Sequence, residues 1–141
     1  YTDTEVSDQG NVTSDSKVKR LEEGLPNHRA TFTMDQNWEN VSAFVRANYF
    51  GEYYAVHADW FGNDADSAMT FDMEVTYRVS DSLDISVGGQ NIFDQDAERI
   101  EGSAGALAEG VPGNVLGAIF YETSPMGIEG AYWYVKAGYN F

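Results

Sequence analysis

The final eleven residues, Ala131-Tyr132-Trp133-Tyr134-Val135-Lys136-Ala137-Gly138-Tyr139-Asn140-Phe141, constrain the fold more than any other part of the chain. Every odd position is apolar or aromatic, whereas Lys136, Gly138 and Asn140 fall on even positions. Side chains alternate between faces along a strand, so this segment presents one apolar and one polar face. Period-two alternation over about ten residues, ending on an aromatic, has the length and pattern of a transmembrane β-strand. A soluble edge strand alternates in the same way but has less need of aromatics so dense at its very end.

Four further segments repeat the pattern. Residues 30–38 set Ala30, Phe32, Met34 and Trp38 against Thr31, Thr33, Asp35 and Asn37. Residues 41–55 set Val41, Ala43, Val45, Ala47, Tyr49 and Tyr53 against Ser42, Arg46, Asn48 and Glu52, with Phe44, Phe50 and Tyr54 interrupting the second face. Residues 69–79 are the cleanest, with Met69, Phe71, Met73, Val75, Tyr77 and Val79 opposite Thr70, Asp72, Glu74, Thr76 and Arg78. Residues 83–93 follow with Leu83, Ile85 and Val87 opposite Asp84, Ser86, Gly88 and Gln90. Residues 1–6 read as the tail of one more strand.

The connections alternate between long (7–29), tight (Glu39 and Asn40), medium (56–68), tight (Ser80, Asp81 and Ser82) and very long (94–130). Short turns on one side and long loops on the other are the pattern of outer-membrane barrels, with turns periplasmic and loops extracellular. The expectation is therefore an all-β fold, a segment of an antiparallel transmembrane β-barrel with its apolar faces toward lipid and its polar faces toward the lumen. A β-sandwich would instead turn the apolar faces into a core.

Composition agrees with a barrel. Mean hydropathy is −0.41, and no stretch approaches the roughly 20 apolar residues that a membrane helix requires. Strands need only every second residue apolar, and the 14% aromatic content suits girdles at two membrane interfaces. The absence of cysteine rules out disulfides and thiolate metal sites within the chain. A net charge of −15 argues against nucleic acid as a partner. The chain starts at Tyr1 with neither an initiating methionine nor a signal-like segment, so a leader has been removed or the chain is a piece of a longer polypeptide. The strand count favours the piece.

The stretch from Glu23 to Ala30, the strand Val45-Arg46-Ala47-Asn48-Tyr49-Phe50-Gly51 and the element Gln90-Asn91-Ile92-Phe93-Asp94 resemble the C-terminal barrel segments of TonB-dependent outer-membrane receptors. In that family a strand leads into Asn-Leu-Phe-Asp, a long loop follows, and the last strand ends on an aromatic; here Ile92 replaces the commoner Leu. The resemblance spans roughly residues 22–141. It implies the last five to six strands of a barrel of about 22 strands filled by a plug domain, with the plug and earlier strands lying outside this chain. It also implies active import of a scarce ligand, such as an iron–siderophore complex, across the outer membrane, energised by a TonB-type coupling protein that grips the missing N-terminal part. An oligosaccharide or another nutrient stays open as the ligand. Further strands are required in any case, because an open sheet leaves unpaired backbone groups in lipid. Trp133, Val135, Gly138, Tyr139 and Phe141 form a terminal pattern that resembles the signal recognised by barrel-assembly machinery.

Ligand chemistry is sparse. Trp60 and Phe61 are the loop aromatics placed to stack on a substrate, or equally to pack on a neighbouring loop. Asp94, Asp96, Glu98, Glu101, Glu109, Glu122 and Glu129 make residues 94–130 acidic, which suits either cation capture or plain solubility. Asp59, Asn63, Asp64 and Asp66 invite comparison with a calcium loop, but the bidentate Glu and the spacing are missing. His28 and His57 lack companions at ligand spacing, and no nucleophile elbow or phosphate loop is present. Neither catalysis, a metal nor a cofactor is expected. Gly88 and Gly89, inside a strand, point to a bulge or a close approach of the plug.

A second reading, from another class, is a secreted β-rich binding or structural protein whose copies join through strand edges. For the 69–79 and 83–93 hairpin, matching of faces predicts a three-residue loop over Ser80, Asp81 and Ser82. That loop pairs Val79 with Leu83, Arg78 with Asp84, Thr76 with Ser86 and Glu74 with Gly88. It also predicts an Arg78–Asp84 ion pair.

Overall fold

Each of the five longer alternating segments contains strand in the computed structural model, which describes residues 3–8, 10, 14–57, 61–100, 120, 121 and 123–141. In chain order the elements are helix α1 (Asp15–Glu23) and strands β1 (Arg29–Asn37), β2 (Val41–Phe50), β3 (Tyr53–His57), β4 (Phe61–Ala65), β5 (Ala68–Ser80), β6 (Leu83–Gln90) and β7 (Tyr132–Tyr139). Five strands form one sheet in the order β1-β2-β5-β6-β7, and β3 pairs with β4 in a second. The fold is thus mostly antiparallel β-sheet with one short helix. Among the described residues the larger sheet is open, with β1 and β7 at its edges.

The chain divides into two compact units. The sheet unit comprises Ala30–Tyr49, Met69–Gln95 and Glu129–Phe141, and the mixed unit comprises Tyr1–Arg29, Phe50–Ala68 and Asp96–Ile128.

In the sheet unit β5 and β6 are antiparallel, with Glu74 opposite Gly88, Thr76 opposite Ser86 and Arg78 opposite Asp84, as face matching predicts. The turn differs from the three-residue loop. Ser80 opposes Leu83, which leaves Asp81 and Ser82 as the turn and Val79 as the extra residue of a bulge. A bulge absorbs one residue and so restores the parity that a two-residue turn would otherwise break. Strand β6 pairs with β7 from Leu83 opposite Tyr139 to Gln90 opposite Tyr132. It ends at Gln90 rather than continuing to Phe93, because Asn91 and Asp94 adopt left-handed φ angles of 47° and 56°. Asparagine and aspartate tolerate that region better than other side chains.

The expected long strand 41–55 is two strands in two sheets. The amide of Gly51 donates to the carbonyl of His28 at 2.8 Å, and a Cβ at Gly51 would lie 3.1 Å from that oxygen. The backbone group that would extend β2 is therefore engaged elsewhere, and the close approach suits glycine. Helix α1 and strand β4 occupy stretches expected to be linker and loop. Ser14 caps the helix, its Oγ accepting from the Lys17 amide at 3.3 Å, with Asp15 in the first turn and Arg20 in the last. Residues 3–6 form no strand; Tyr1 and Thr2 lie outside the described residues.

The mixed unit holds a hydrophobic core of Tyr53, Ala55, Ala65, Ile100 and Tyr121. An antiparallel bridge joins Arg99 to Phe120, Val56 donates to the Thr123 hydroxyl at 3.0 Å, and Asn63 donates to Glu98 at 2.9 Å.

Candidate functional site

Burial in the sheet unit is inverted relative to an ordinary soluble sheet. Every buried hydrophobic residue among those described, from Phe50 to Tyr121, belongs to the mixed unit. The buried polar residues, Thr70 and Ser86, belong to the sheet unit. The rows Met73–Gly89–Trp133, Val75–Val87–Val135 and Tyr77–Ile85–Ala137 run across β5, β6 and β7 on one face. That face is open: Val135 is 72% exposed, and Val75, Tyr77, Ile85, Val87 and Trp133 are exposed with it. Phe32, Met34 and Trp38 of the β1 hairpin are exposed as well. Contiguous apolar surface of this extent marks an interaction face.

Of the residues assigned to a terminal recognition pattern, Trp133, Val135 and Tyr139 are large, exposed side chains. Phe141 is fully exposed beyond the strand, and its ring meets Tyr139 edge-on at 5.0 Å. Gly138 belongs to the other face: a Cβ there would lie 2.7 Å from Asp84 Oδ2. This explains a departure from expectation. Arg78 and Asp84 stand opposite one another and line the same cavity of about 450 Å³, yet they form no ion pair among the described residues. The Asp84 carboxylate leans over Gly138, where no side chain stands.

The opposite face carries groups of hydrogen-bonded polar side chains. Thr31 donates to Asn48 Oδ1 at 3.3 Å, and Asn48 Nδ2 donates to Thr70 Oγ1 at 3.3 Å and Asp72 Oδ2 at 3.2 Å. Asp72 in turn accepts from the Asn91 amide at 3.0 Å. Thr76 and Ser86 share a hydrogen bond of 2.7 Å. Across β6 from β5, Tyr134 Oη and Lys136 Nζ each donate to Glu74 Oε2 at 2.6 Å. Such mutual satisfaction lets polar groups lie buried without the cost of an unmade hydrogen bond.

The Asn91-to-Asp94 element is a closed turn. Asn91 exchanges two hydrogen bonds of 2.9 Å with the backbone of Gln95, and its carbonyl accepts from the Asp94 amide at 2.8 Å. Asp94 Oδ1 accepts from the Ala131 amide at 2.8 Å, one residue before β7. Phe93 is exposed and meets Phe71 edge-on at 5.3 Å.

Ligand candidates fare differently. Trp60 lies outside the described residues; Phe61 opens β4 opposite His57, and its ring is likewise outside them. In the mixed unit a cavity of about 520 Å³ is lined by Lys19, Glu23, Asn27, Glu52, Tyr53, Asp64 and Asp66, among others. Lys19 binds Asp64 at 2.6 Å and lies over the Tyr54 ring at 4.3 Å. The Asp64 hydrogen bond raises the Lys19 pKa, and burial raises that of Tyr53. Of the residues compared with a calcium loop, Asp64 is thus held by Lys19 and Asn63 donates to Glu98, while Asp59 is outside the described residues. Among the described residues no group of three or more histidines and carboxylates could hold a metal ion, and no helix is long and apolar enough to cross a membrane. Glu74, which the sequence offers only as one polar position among many, becomes a hub because β6 brings β5 and β7 within reach of each other. No protein-family model, curated protein or solved structure matches the chain.

Proposed function

We propose that this chain is the C-terminal part of an outer-membrane β-barrel of the TonB-dependent receptor type, which takes up a scarce ligand such as an iron–siderophore complex. One observation carries the reading: the sheet unit exposes its large apolar side chains on one face and hydrogen-bonds its polar side chains on the other. Lipid is the solvent that rewards that arrangement, since apolar side chains gain from it and backbone groups are satisfied by neighbouring strands. Two features support the receptor type in particular. The Asn91-to-Asp94 turn closes the penultimate strand, and a long connection then leads to a terminal strand ending on an aromatic. In this reading β1 and β7 pair with strands beyond the chain, barrel-assembly machinery engages the Trp133-to-Phe141 pattern, and the TonB-type partner acts through a plug upstream.

The test is accessibility in the intact protein. Nitroxide labels on single cysteines at Val75, Val87 and Val135 should collide with oxygen, which partitions into lipid. Labels at Thr76 and Ser86 should collide with a water-soluble nickel chelate. Equal access of the chelate to both faces would sink the membrane reading and favour a secreted protein that assembles through its edges. The receptor type has its own test: the full-length gene product should contain a plug and about sixteen further alternating strands, and their absence would overturn it.

A further inference from the structure

Alternation decides which face a strand presents but leaves its register free in steps of two residues. In the β5–β6 hairpin the two-residue turn removes that freedom. Strand β7 has no such turn, because it follows the connection 91–131. Its apolar positions Trp133, Val135, Ala137 and Tyr139 would keep their face after a slip of two. One register is nevertheless seen, with Gly88 opposite Tyr134 and Gly89 opposite Trp133.

We propose that Gly88 and Gly89 form a notch that sets the register of the terminal strand, with Glu74, one strand further on, as its anchor. Tyr134 closes the notch on the polar face: a Cβ at Gly88 would lie 2.6 Å from the Tyr134 Cζ and hydroxyl. Trp133 closes it on the apolar face: a Cβ at Gly89 would lie 3.0 Å from the indole Cδ2 and Cε3, and 2.9 Å from Ile92 Cγ2. Gly88 also opposes Glu74. The Tyr134 ring therefore crosses β6 where no side chain stands and delivers its hydroxyl to Glu74 Oε2 at 2.6 Å. Lys136 reaches the same oxygen at 2.6 Å and lies 4.5 Å from the Tyr134 ring centre. Covering a strand glycine with a cross-strand aromatic is a known way to pin register.

A slip of two would place Tyr134 opposite Ser86 or Gln90 and Trp133 opposite Val87 or Asn91. Each ring would then meet a side chain in the space it now fills. The slip would also carry Tyr134 about 6.6 Å along the strand, away from Glu74, and would set Tyr132 or Lys136 opposite Gly88 in its place. The Asp94–Ala131 hydrogen bond steadies the start of β7 at its other end. The pairing runs through Gly88 and Gly89 without a bulge, and Tyr134 and Trp133 of β7 stand beside them.

Disulfide trapping in the intact protein tests the notch. Val87→Cys with Val135→Cys reports the present register; Val87→Cys with Ala137→Cys, and Ile85→Cys with Val135→Cys, report slips of two in either direction. The first pair should cross-link and the other two scarcely. Combining Glu74→Gln with Tyr134→Phe should raise the slipped product roughly five- to tenfold relative to the present register, and Gly88→Val should raise it further. Ser86→Ala, which removes a neighbouring hydrogen bond without touching the notch, should leave the ratio unchanged. Scoring only the protease-resistant fraction separates slipping from failure to assemble, and Glu74→Gln alone serves where the stronger variants do not assemble. An unchanged ratio in the notch variants that assemble, or an equal rise with Ser86→Ala, would overturn the proposal. The cross-links read β6 against β7 whatever solvent meets the apolar face, so the membrane reading and the notch stand or fall separately.

Discussion

Val56 in β3 is fully buried, whereas Val135 in β7 is 72% exposed, although both are valines in β-strands. The first belongs to the mixed unit, where β3 and β4 share a core with Ile100 and Tyr121. The second belongs to the sheet unit, whose described apolar side chains are half-buried or exposed. The polar side chains invert in the same way. Asp64 and Lys19 meet at the surface of the mixed unit, while Thr70 and Ser86 are buried within the sheet unit. The same residue types, set in strands, therefore show opposite burial in the two units, and what distinguishes them is the company each strand keeps.

The largest effects should come from breaking the buried side of this contrast. Ile100→Ala should destabilise the mixed unit by about 2–5 kcal/mol, read as faster hydrogen exchange at the Ala55 and Val56 amides. Val87→Ala in the sheet unit removes a half-exposed side chain and should leave exchange in β6 nearly unchanged. Equal effects of the two substitutions would show that the units are not inverted.

The exposed side is sharpened by charge. Val75→Arg should cost about 2–4 kcal/mol if the apolar face meets the middle of a bilayer, while Thr76→Arg on the polar face should be better tolerated. If water covers the apolar face, Val75→Arg should instead stay within about 0.5 kcal/mol. Assembly yield and denaturant midpoints distinguish the two, and a more damaging Thr76→Arg would invert the assignment of faces.

The smallest effect is a pH dependence confined to the mixed unit. Burial raises the Tyr53 pKa above its ordinary value of 10.0, so ionisation is easier in the unfolded chain. The stability this contributes is complete below pH 10 and is lost as pH rises through the folded value. Lys19, raised by its hydrogen bond to Asp64, acts in the same direction above pH 10.5. Alkaline titration should therefore loosen β3 more in the native protein than in Tyr53→Phe, as followed by amide exchange. Identical alkaline midpoints would remove Tyr53 as the cause.

Much of the sheet is legible in the sequence because period-two patterning is local. The faces of β5, and the Glu74–Gly88, Thr76–Ser86 and Arg78–Asp84 pairs, follow from alternation and a tight turn. Helix α1 was hidden in a stretch expected to be linker, although Ser14, Asp15 and the Lys19–Glu23 spacing carry a helix signature. Its low apolar content masked the period. The split between β2 and β3 was hidden because Tyr53 continues the alternation past Gly51, and no local pattern records that the Gly51 amide donates to the His28 carbonyl.

By itself the sequence determined most of the strands, their two-sidedness and the place of the hairpin turn, though not its length, since each depends on residues close in the chain. The tertiary structure decided that β2 lies beside β5, that β3 and β4 leave for a sheet of their own, and that Asp84 turns to Gly138 rather than to Arg78. It also decided which residue of β7 meets Gly88. Those choices depend on competition between distant partners for the same backbone groups and the same space, and no local period records the outcome.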